Sequence, residues 1–377
     1  MILPFETVIW VIMLLSLAYL MLIAVFTYGW FSMKNGFTPE IQPETKVSVV
    51  VAVRNEENNI ADLLGGLLQQ TYPLRLMEVI IVDDASDDDT LKIIKRFSVG
   101  NPELKIKTLS SPGKGKKEAL ALGIKMSSHD FIVTTDGDCL PDKRWIRKMT
   151  ACHRVCQPKL LLAPVVYSGE KGFLQKMFSL DFISLVASGA GSTAAGLPFM
   201  GNTANMAFDK SVFLNEDLQS GFASGDDVFF IHSVKKRYGS KAIMFLKDAH
   251  ALIKTRPPQN IGEFFNQRLR WASKAKGYRD VWSVTVSWVV LLFNLSMAAL
   301  LVAGLWWPWL LVVWFLFVVL KSLIDFPLLS SYARLTGKGN LLVYLLPVEL
   351  FYPWYIVLVG VSSLFVKYNW KGRGGLR

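Results

Sequence analysis

Charge is what this sequence has least of. Only 19% of its 377 residues are charged, against about a quarter in ordinary soluble domains. Two long stretches, Thr7–Met33 and Val281–Leu320, carry none at all, which argues against a plain soluble globule. The apolar excess is also confined to these blocks and does not run along the whole length, which argues against a pure channel or transporter. Cysteine is scarce too: Cys139, Cys152 and Cys156 leave at least one thiol unpaired within the chain, which fits a reducing compartment. Cys152, His153 and Cys156 share one expected helix, but a fourth ligand at metal-site spacing is missing, so the cysteines read as small buried residues. There is no basic arm or nucleic-acid motif, so no nucleic-acid partner is expected. The P-loop spacing is absent, and nothing marks an obligate protein partner.

What is present begins with 41 basic against 30 acidic residues, a net +11. Basic residues gather on the cytoplasmic flanks of membrane spans and also hold phosphates. The first apolar run, Thr7–Tyr28, has 22 residues, enough at about 1.5 Å each to cross a ~30 Å hydrocarbon core. No basic residue precedes it and it exceeds a signal-peptide core, so it reads as a retained anchor. Lys34 and Lys46 then place the following domain in the cytoplasm, on the inner or plasma membrane. The block 281–320 would be about 60 Å long as one helix and must turn back, most naturally at Gly304-Leu305-Trp306-Trp307-Pro308. The segment Leu341–Val366 contains Pro347, Glu349 and Pro353. It either crosses, putting Lys367, Lys371, Arg373 and Arg377 outside, or forms a proline-broken re-entrant element that keeps them inside; the second reading is preferred. The expected division is an anchor (1–33), an α/β domain (34–258), an amphipathic interfacial segment (259–281) and a membrane region (282–377) made of a hairpin at 282–330, the segment 341–366 and a basic tail.

Between the apolar blocks, short β-branched runs alternate with helical stretches: Val47–Val53, Val79–Val82, Ile106–Leu109, Phe131–Thr135 and Leu160–Val166. This pattern predicts a mainly parallel, Rossmann-like sheet covered by helices, with the site at the carboxyl ends of the strands. Polar residues stand at those ends: Arg54-Asn55-Glu56-Glu57, Asp83-Asp84 and Asp136-Gly137-Asp138. Two carboxylates flanking a glycine can reach a hard divalent cation, though aspartates also simply form turns. Asp87, Asp88 and Asp89 precede the helical Thr90–Phe97 and read as caps. Gly115-Lys116 opens a helix whose amino end attracts anions, or is a solvated basic turn. Asp226 and Asp227 open another helix, where capping is the default. Gln267, Arg270 and Trp271, at i, i+3 and i+4, share one face of a helix over 261–276. An amide, a guanidinium and an indole suit a sugar beside a diphosphate. Alternatively the helix is interfacial, with Phe264, Phe265 and Trp271 toward lipid and Arg268, Lys274 and Lys276 toward headgroups. Lys321 and Asp325, also i, i+4, either neutralise each other or meet a lipid headgroup.

Taken in order, Val82-Asp83-Asp84-Ala85-Ser86, Asp136-Gly137-Asp138, Gly225-Asp226-Asp227 and Gln267-Arg268-Leu269-Arg270-Trp271 resemble the D, DxD, (E/D)D and QxxRW signature of membrane-bound family-2 glycosyltransferases. Gly201-Asn202-Thr203-Ala204-Asn205-Met206-Ala207 matches the family's acceptor-side segment, and Trp370-Lys371-Gly372-Arg373 resembles the ending of ceramide glucosyltransferases and bacterial lipid or carotenoid glycosyltransferases. The resemblance implies a cytoplasmic GT-A catalytic domain with one N-terminal and two to three C-terminal membrane helices. It also implies roles: Asp227, with Asp226, as catalytic base; Arg54, Glu56, Asp83, Asp84, Lys116 and Asp136 on a nucleotide sugar. Asp138 with Asp136 would hold Mg²⁺ or Mn²⁺, while Gln267, Arg270, Trp271, Gly201 and Asn202 would hold the diphosphate and acceptor. The expected activity is inverting transfer of one hexose, from a UDP-sugar, to a lipid hydroxyl. The rival is a processive polysaccharide synthase, for which extra spans and an FxVT gate are missing. A dead scaffold would lack one of the acids, and a nucleotidyltransferase would need a GxGxR-like loop where Arg54-Asn55-Glu56-Glu57 stands.

Overall fold

The computed structural model describes residues 5–36, 42–111, 115–214, 226–365, 368–370 and 373–376. Helix α1 (Phe5–Ser32) leads into β1 (Val47–Val53), α2 (Ile60–Leu68), β2 (Met77–Asp83), α3 (Thr90–Gly100) and β3 (Lys105–Ser110). Next come α4 (Lys116–Lys125), β4 (Phe131–Asp136), β5 (Leu140–Pro141), α5 (Trp145–Cys156), β6 (Leu160–Leu162) and β7 (Val165–Tyr167). A long α6 (Gly172–Ala194) is followed by β8 (Met206–Asp209), α7 (Lys210–Leu214), α8 (Asp226–Tyr238), β9 (Ile243–Phe245) and β10 (Ile253–Thr255). The chain ends in α9 (Ile261–Ser273), α10 (Val281–Ala303), α11 (Trp309–Leu335), α12 (Leu345–Phe365) and the antiparallel pair β11 (Tyr368–Trp370) and β12 (Arg373–Leu376).

The main sheet has the order β3-β2-β1-β4-β8-β6-β9. Its only reversed strand is β8, antiparallel to both β4 and β6. The central strands β1, β2 and β4 are buried along both faces, as continuous apolar runs in a parallel sheet must be. The edge strand β3 is largely exposed and carries two lysines, which blunts edge pairing. The run Leu160–Val166, expected as one strand, is two: it splits at Ala163-Pro164, because Pro164 has no N–H to give a ladder. Here β6 stays in the main sheet while β7 joins β5 and β10 in a second, three-stranded one.

Among the described residues, four helices are long and apolar enough to cross a membrane: Trp10–Ser32, Val281–Ala303, Trp309–Leu335 and Gly339–Ser363. The expected proline break in the last is not seen. Pro347 falls in the first turn of α12, where an N–H would be unbonded anyway, and Pro353 is carried inside a continuous helix. Of the basic tail, Lys367, Lys371 and Arg377 lie outside the described residues, as does Gly372 of the C-terminal motif.

The catalytic layer is fastened to the membrane helices directly. Gly29 of α1 crosses Gly191 of α6 so closely that a Cβ on either would meet backbone at 2.1–2.2 Å, the small-residue contact that lets helices approach. Trp30, fully buried, donates from Nε1 to Ser331 Oγ at 2.8 Å, and Lys247 Nζ donates to its carbonyl at 2.8 Å. Tyr332 of α11 acts like an extra strand residue on β7: its hydroxyl accepts from Val165 N–H (3.1 Å) and donates to Val165 C=O (3.0 Å).

Candidate active site

A cavity of about 500 Å³ lies at the carboxyl ends of β1, β2 and β4, closed on the other side by α6, α8 and α9. It is lined by Arg54, Glu56, Asp84, Lys116, Asp136, Asp138, Gly201, Asn202, Asp227, Gln267, Arg270 and Trp271. All were expected from the sequence. Asp83 is the exception. Its buried carboxylate accepts from Ser86 N–H on one oxygen (3.2 Å), and its other oxygen finds no partner, but it does not reach the cavity. Strand alternation explains this: neighbouring residues at a strand end face opposite ways, so only one of Asp83 and Asp84 can point to the site. The side chain of Asp226 lies outside the described residues, as does Gly225.

On the first-strand side, Arg54 Nη1 donates to the carbonyls of Asp84 (2.7 Å) and Ala85 (2.9 Å). Ala85 is held there in the left-handed region, φ 57°, a strain of about 1–2 kcal/mol of the kind that functional loops retain. Asp84 Oδ1 accepts from Gly115 N–H at 3.2 Å, tying the β2 end to the start of α4. Of the three aspartates expected as caps, Asp88 does the capping: Oδ1 accepts from Thr90 N–H at 3.0 Å, which with further hydrogen bonds outweighs its partial burial and lowers its pKa. Asp89 instead pairs with Lys92 on the surface.

Asp136 Oδ1 meets Lys116 Nζ at 2.6 Å, and the same ammonium donates to Thr203 Oγ1 at 3.1 Å. Asp138 Oδ2 accepts from Thr255 Oγ1 at 3.0 Å. Gly137 is required between them: a Cβ there would lie 2.8 Å from Glu56 Cγ. Asn205 braces the neighbouring segment from behind, donating to Pro164 and Ala251 carbonyls and accepting from Trp145 Nε1. Gly201 is packed against Ile231, Leu162 and Met206 with no room for a side chain.

Asp136 and Asp138 can hold a hard divalent ion if the ligand supplies the remaining oxygens. Magnesium is usually held this way, by one or two carboxylates plus phosphates. Among the described residues no cluster of three His, Cys, Asp or Glu side chains could hold a metal unaided. The weak Cys/His possibility also falls away. Cys152 is buried, His153 pairs with Asp209 at 2.9 Å, and Cys156, expected to be buried, is exposed.

The helix α9 departs most from expectation. Arg268 and Lys274, read as headgroup contacts, are buried. Arg268 donates from both Nε and Nη2 to Oδ2 of Asp181 on α6, donates to Tyr355 of α12 at 3.1 Å, and stacks over the Trp271 and Phe264 rings. Burial opposes its charge, but Asp181 outweighs it and raises its pKa. Phe264 stacks on Phe178 instead of facing lipid. Lys274 Nζ binds Asp227 Oδ1 at 2.9 Å. Burial alone would raise the Asp227 pKa; Lys274, the Val228 N–H and Lys116 more than offset it, so the carboxyl is held below its ordinary range. Gln267 accepts from Tyr167 Oη at 2.9 Å, which links α9 to β7.

An α/β layer with paired acids at its strand ends, a basic face opposite and an ionised carboxylate between them defines a GT-A-type transferase of nucleotide-activated groups. The chain belongs to the glycosyl transferase family 2 group: the "Glycosyl transferase family group 2" model matches residues 131–360 and the "Glycosyl transferase family 2" model residues 48–184. Glycosyltransferase AglE of Haloferax volcanii is 36% identical over 102 residues, 27% of this chain and 33% of that protein, so the match spans a third of this relative's length. A poly-beta-1,6-N-acetyl-D-glucosamine synthase of Staphylococcus epidermidis is 25% identical over 75% of this chain and 67% of that one. Among solved structures, the mannosyltransferase PcManGT of Pyrobaculum calidifontis, in complex with GDP-Man and Mn²⁺, has the same fold. Its TM-score is 0.60 at 16% identity, covering 96% of this chain and 97% of that one.

Proposed function

We propose that this chain is an inverting hexosyltransferase that moves one sugar from a nucleotide sugar to a lipid hydroxyl at the cytoplasmic membrane face. The observation that carries this is the wall the cavity shares with a second one, about 520 Å³ and mainly apolar, between the membrane helices. Leu185, Phe199, Met200, Tyr278 and Ser287 border both. An acceptor whose chain lies among those helices has its head delivered to Asp227.

In this reading Glu56 and Asp84 hold the nucleoside end, while Lys116 and Arg270 supply positive charge where the diphosphate departs. Asp136 and Asp138 would hold Mg²⁺ or Mn²⁺, which adds charge stabilisation on the same phosphates. Asp227, kept ionised by Lys274, takes the proton as the acceptor oxygen bonds to the anomeric carbon and the carbon–diphosphate bond breaks on the opposite face, which inverts the centre. Gln267 and Trp271 border the sugar.

The same reading keeps α12 in the membrane interface. Tyr355 in its middle touches Arg268 and Phe264 of α9, and β11, beginning at residue 368 after α12 ends at 365, packs against α9 as well. Three residues reach about 11 Å at most, far short of a ~30 Å core, so a full crossing would carry β11 away from α9. Arg373, in the strand paired with β11, then stays on the catalytic side.

The synthase reading rests on one finding, the similarity to the poly-N-acetylglucosamine synthase over 75% of the chain. Weighing products decides. Purified protein with UDP- and GDP-sugars and a native lipid extract should add one hexose to a lipid, whereas a ladder of masses would establish the synthase.

A further inference from the structure

The second cavity is apolar over most of its wall but not all. Asp181 of α6 stands in it, 4% exposed. Its Oδ2 is occupied by Arg268, whereas Oδ1 has no hydrogen-bond partner. A buried carboxylate oxygen without a donor forfeits the hydrogen bonds it would make in water, so a donor brought by a ligand is strongly favoured there. Deeper in the same wall, Lys321 of α11 lies between Asp325 and Glu349 at 2.6 Å each, and Tyr19 donates to Asp325 at 3.0 Å. The acids on this wall, Asp181, Asp325 and Glu349, outnumber its lysines, Lys276 and Lys321, so an anion entering the cavity would meet a net negative charge.

We propose that this cavity selects a neutral lipid that carries a hydroxyl or amide N–H donor close to the hydroxyl that reacts, with Asp181 Oδ1 accepting from it. The inference rests on the transfer reading above and narrows its acceptor. A simple long-chain alcohol has no second donor and leaves Asp181 Oδ1 unpaired. A prenyl phosphate adds negative charge and likewise offers no donor along its chain. Asp181 is a positioning residue: it touches the acceptor away from the reacting oxygen, and its pairing with Arg268 sets α9, and with it Gln267, Arg270 and Trp271, against α6.

The test uses the full chain in lipid nanodiscs with the nucleotide sugar it turns over, and four acceptors of matched chain length: a monoalcohol, a 1,2-diol, an N-acyl amino alcohol and a prenyl phosphate. The diol and the amide should exceed the monoalcohol in kcat/KM by about tenfold or more, the worth of one hydrogen bond to a charged group, and the prenyl phosphate should be a poor acceptor. Equal use of the monoalcohol, or preference for the prenyl phosphate, overturns the inference while leaving lipid glycosylation standing. Donor binding without transfer to any lipid defeats both. As an independent arm, Ser184→Leu, one turn from Asp181 on the cavity wall, should raise the KM of the diol with nucleotide-sugar Kd unchanged. An unchanged KM in a variant that still binds donor removes the cavity from acceptor binding.

Discussion

Replacing Lys274 with methionine removes the cation that holds Asp227 in its ionised form while keeping most of the side-chain volume. The two side chains are 7% and 19% exposed, so the pair is poorly screened. At 2.9 Å its gross attraction is about 6 kcal/mol with an effective dielectric near 20. The net loss on removing one partner is smaller, about 3 kcal/mol, because Asp227 can shed its charge by taking a proton. The sign follows from linkage. In the parent the folded-state pKa of Asp227 is lowered, so its contribution is present above the ordinary carboxylate pKa and is lost as pH falls through the folded value. In the variant burial acts with less opposition: the folded pKa rises, and the variant loses relative stability as pH rises past the acid range. Thermal unfolding of both proteins in one detergent, between about pH 4 and 8, should therefore give diverging profiles, the gap widening toward neutral pH. The acid limb of kcat should move upward in the variant, whereas Lys274→Arg should restore the parent's limb. A donor contact by Lys274 would instead raise the nucleotide-sugar KM and leave the limb in place. Parallel stability curves with an unmoved acid limb would refute the assignment of Lys274 to the base.

Asp227→Asn should abolish transfer with nucleotide-sugar Kd within about twofold of the parent, by calorimetry; near-normal turnover removes Asp227 from the chemistry. Gly191→Ala, which would place a methyl 2.2 Å from the Phe26 carbonyl, should lower the unfolding temperature, since backbone cannot yield as a flexible side chain does; an unchanged temperature would show that α1 and α6 separate freely. Lys321→Leu alone should destabilise by about 3–5 kcal/mol because it leaves Asp325 and Glu349 facing each other uncompensated, whereas leucine at all three positions should recover most of that loss, as read by denaturant unfolding in micelles. Cys156, exposed on the catalytic side, serves as an internal marker: a cysteine added at Arg373 should react with an impermeant maleimide from the same side of the membrane as Cys156, and labelling from opposite faces would make α12 a full crossing.

The parts of this molecule that could be read from sequence are those whose physics is local. Two-sided burial in a parallel sheet leaves continuous β-branched runs, so β1, β2 and β4 stand out, and strand ends fix where polar residues collect, so Glu56, Asp84, Asp136 and Asp138 could be named beforehand. An uncharged stretch of 40 residues has to fold back in lipid whatever its neighbours do. What stayed hidden depends on contacts made across the chain. Helix α6 shows no apolar stripe because it is enclosed on nearly every side, by α1 through Gly191 and by α9 through Asp181, and a helix without a solvent face has no periodicity to detect. Arg268 and Lys274 look like headgroup cations until their partners, Asp181 and Asp227, are brought in from 87 and 47 residues away. The strand β8 reverses direction between two parallel neighbours, and Pro164 moves its strand into another sheet, both settled by pairing that sequence spacing does not encode.

These long-range contacts link the membrane to the chemistry. Tyr332 near the C-terminal end of α11 is bonded to Val165 on β7; two residues along that strand, Tyr167 bonds Gln267, and the next residue, Arg268, fixes α9 to α6 and α12. Each link is a hydrogen bond or ion pair with at least one buried partner, so opening one leaves a buried polar group unpaired, at about 1–3 kcal/mol apiece. A displacement of α11 is therefore resisted at Gln267, Arg270 and Trp271 and not absorbed by a flexible linker. The site holds its geometry only while the membrane helices are in register with the sheet, and a catalytic domain cut free at residue 280 would lose α10, α11 and α12, and with them both Tyr332 and Tyr355, even though every acid of its motifs remained.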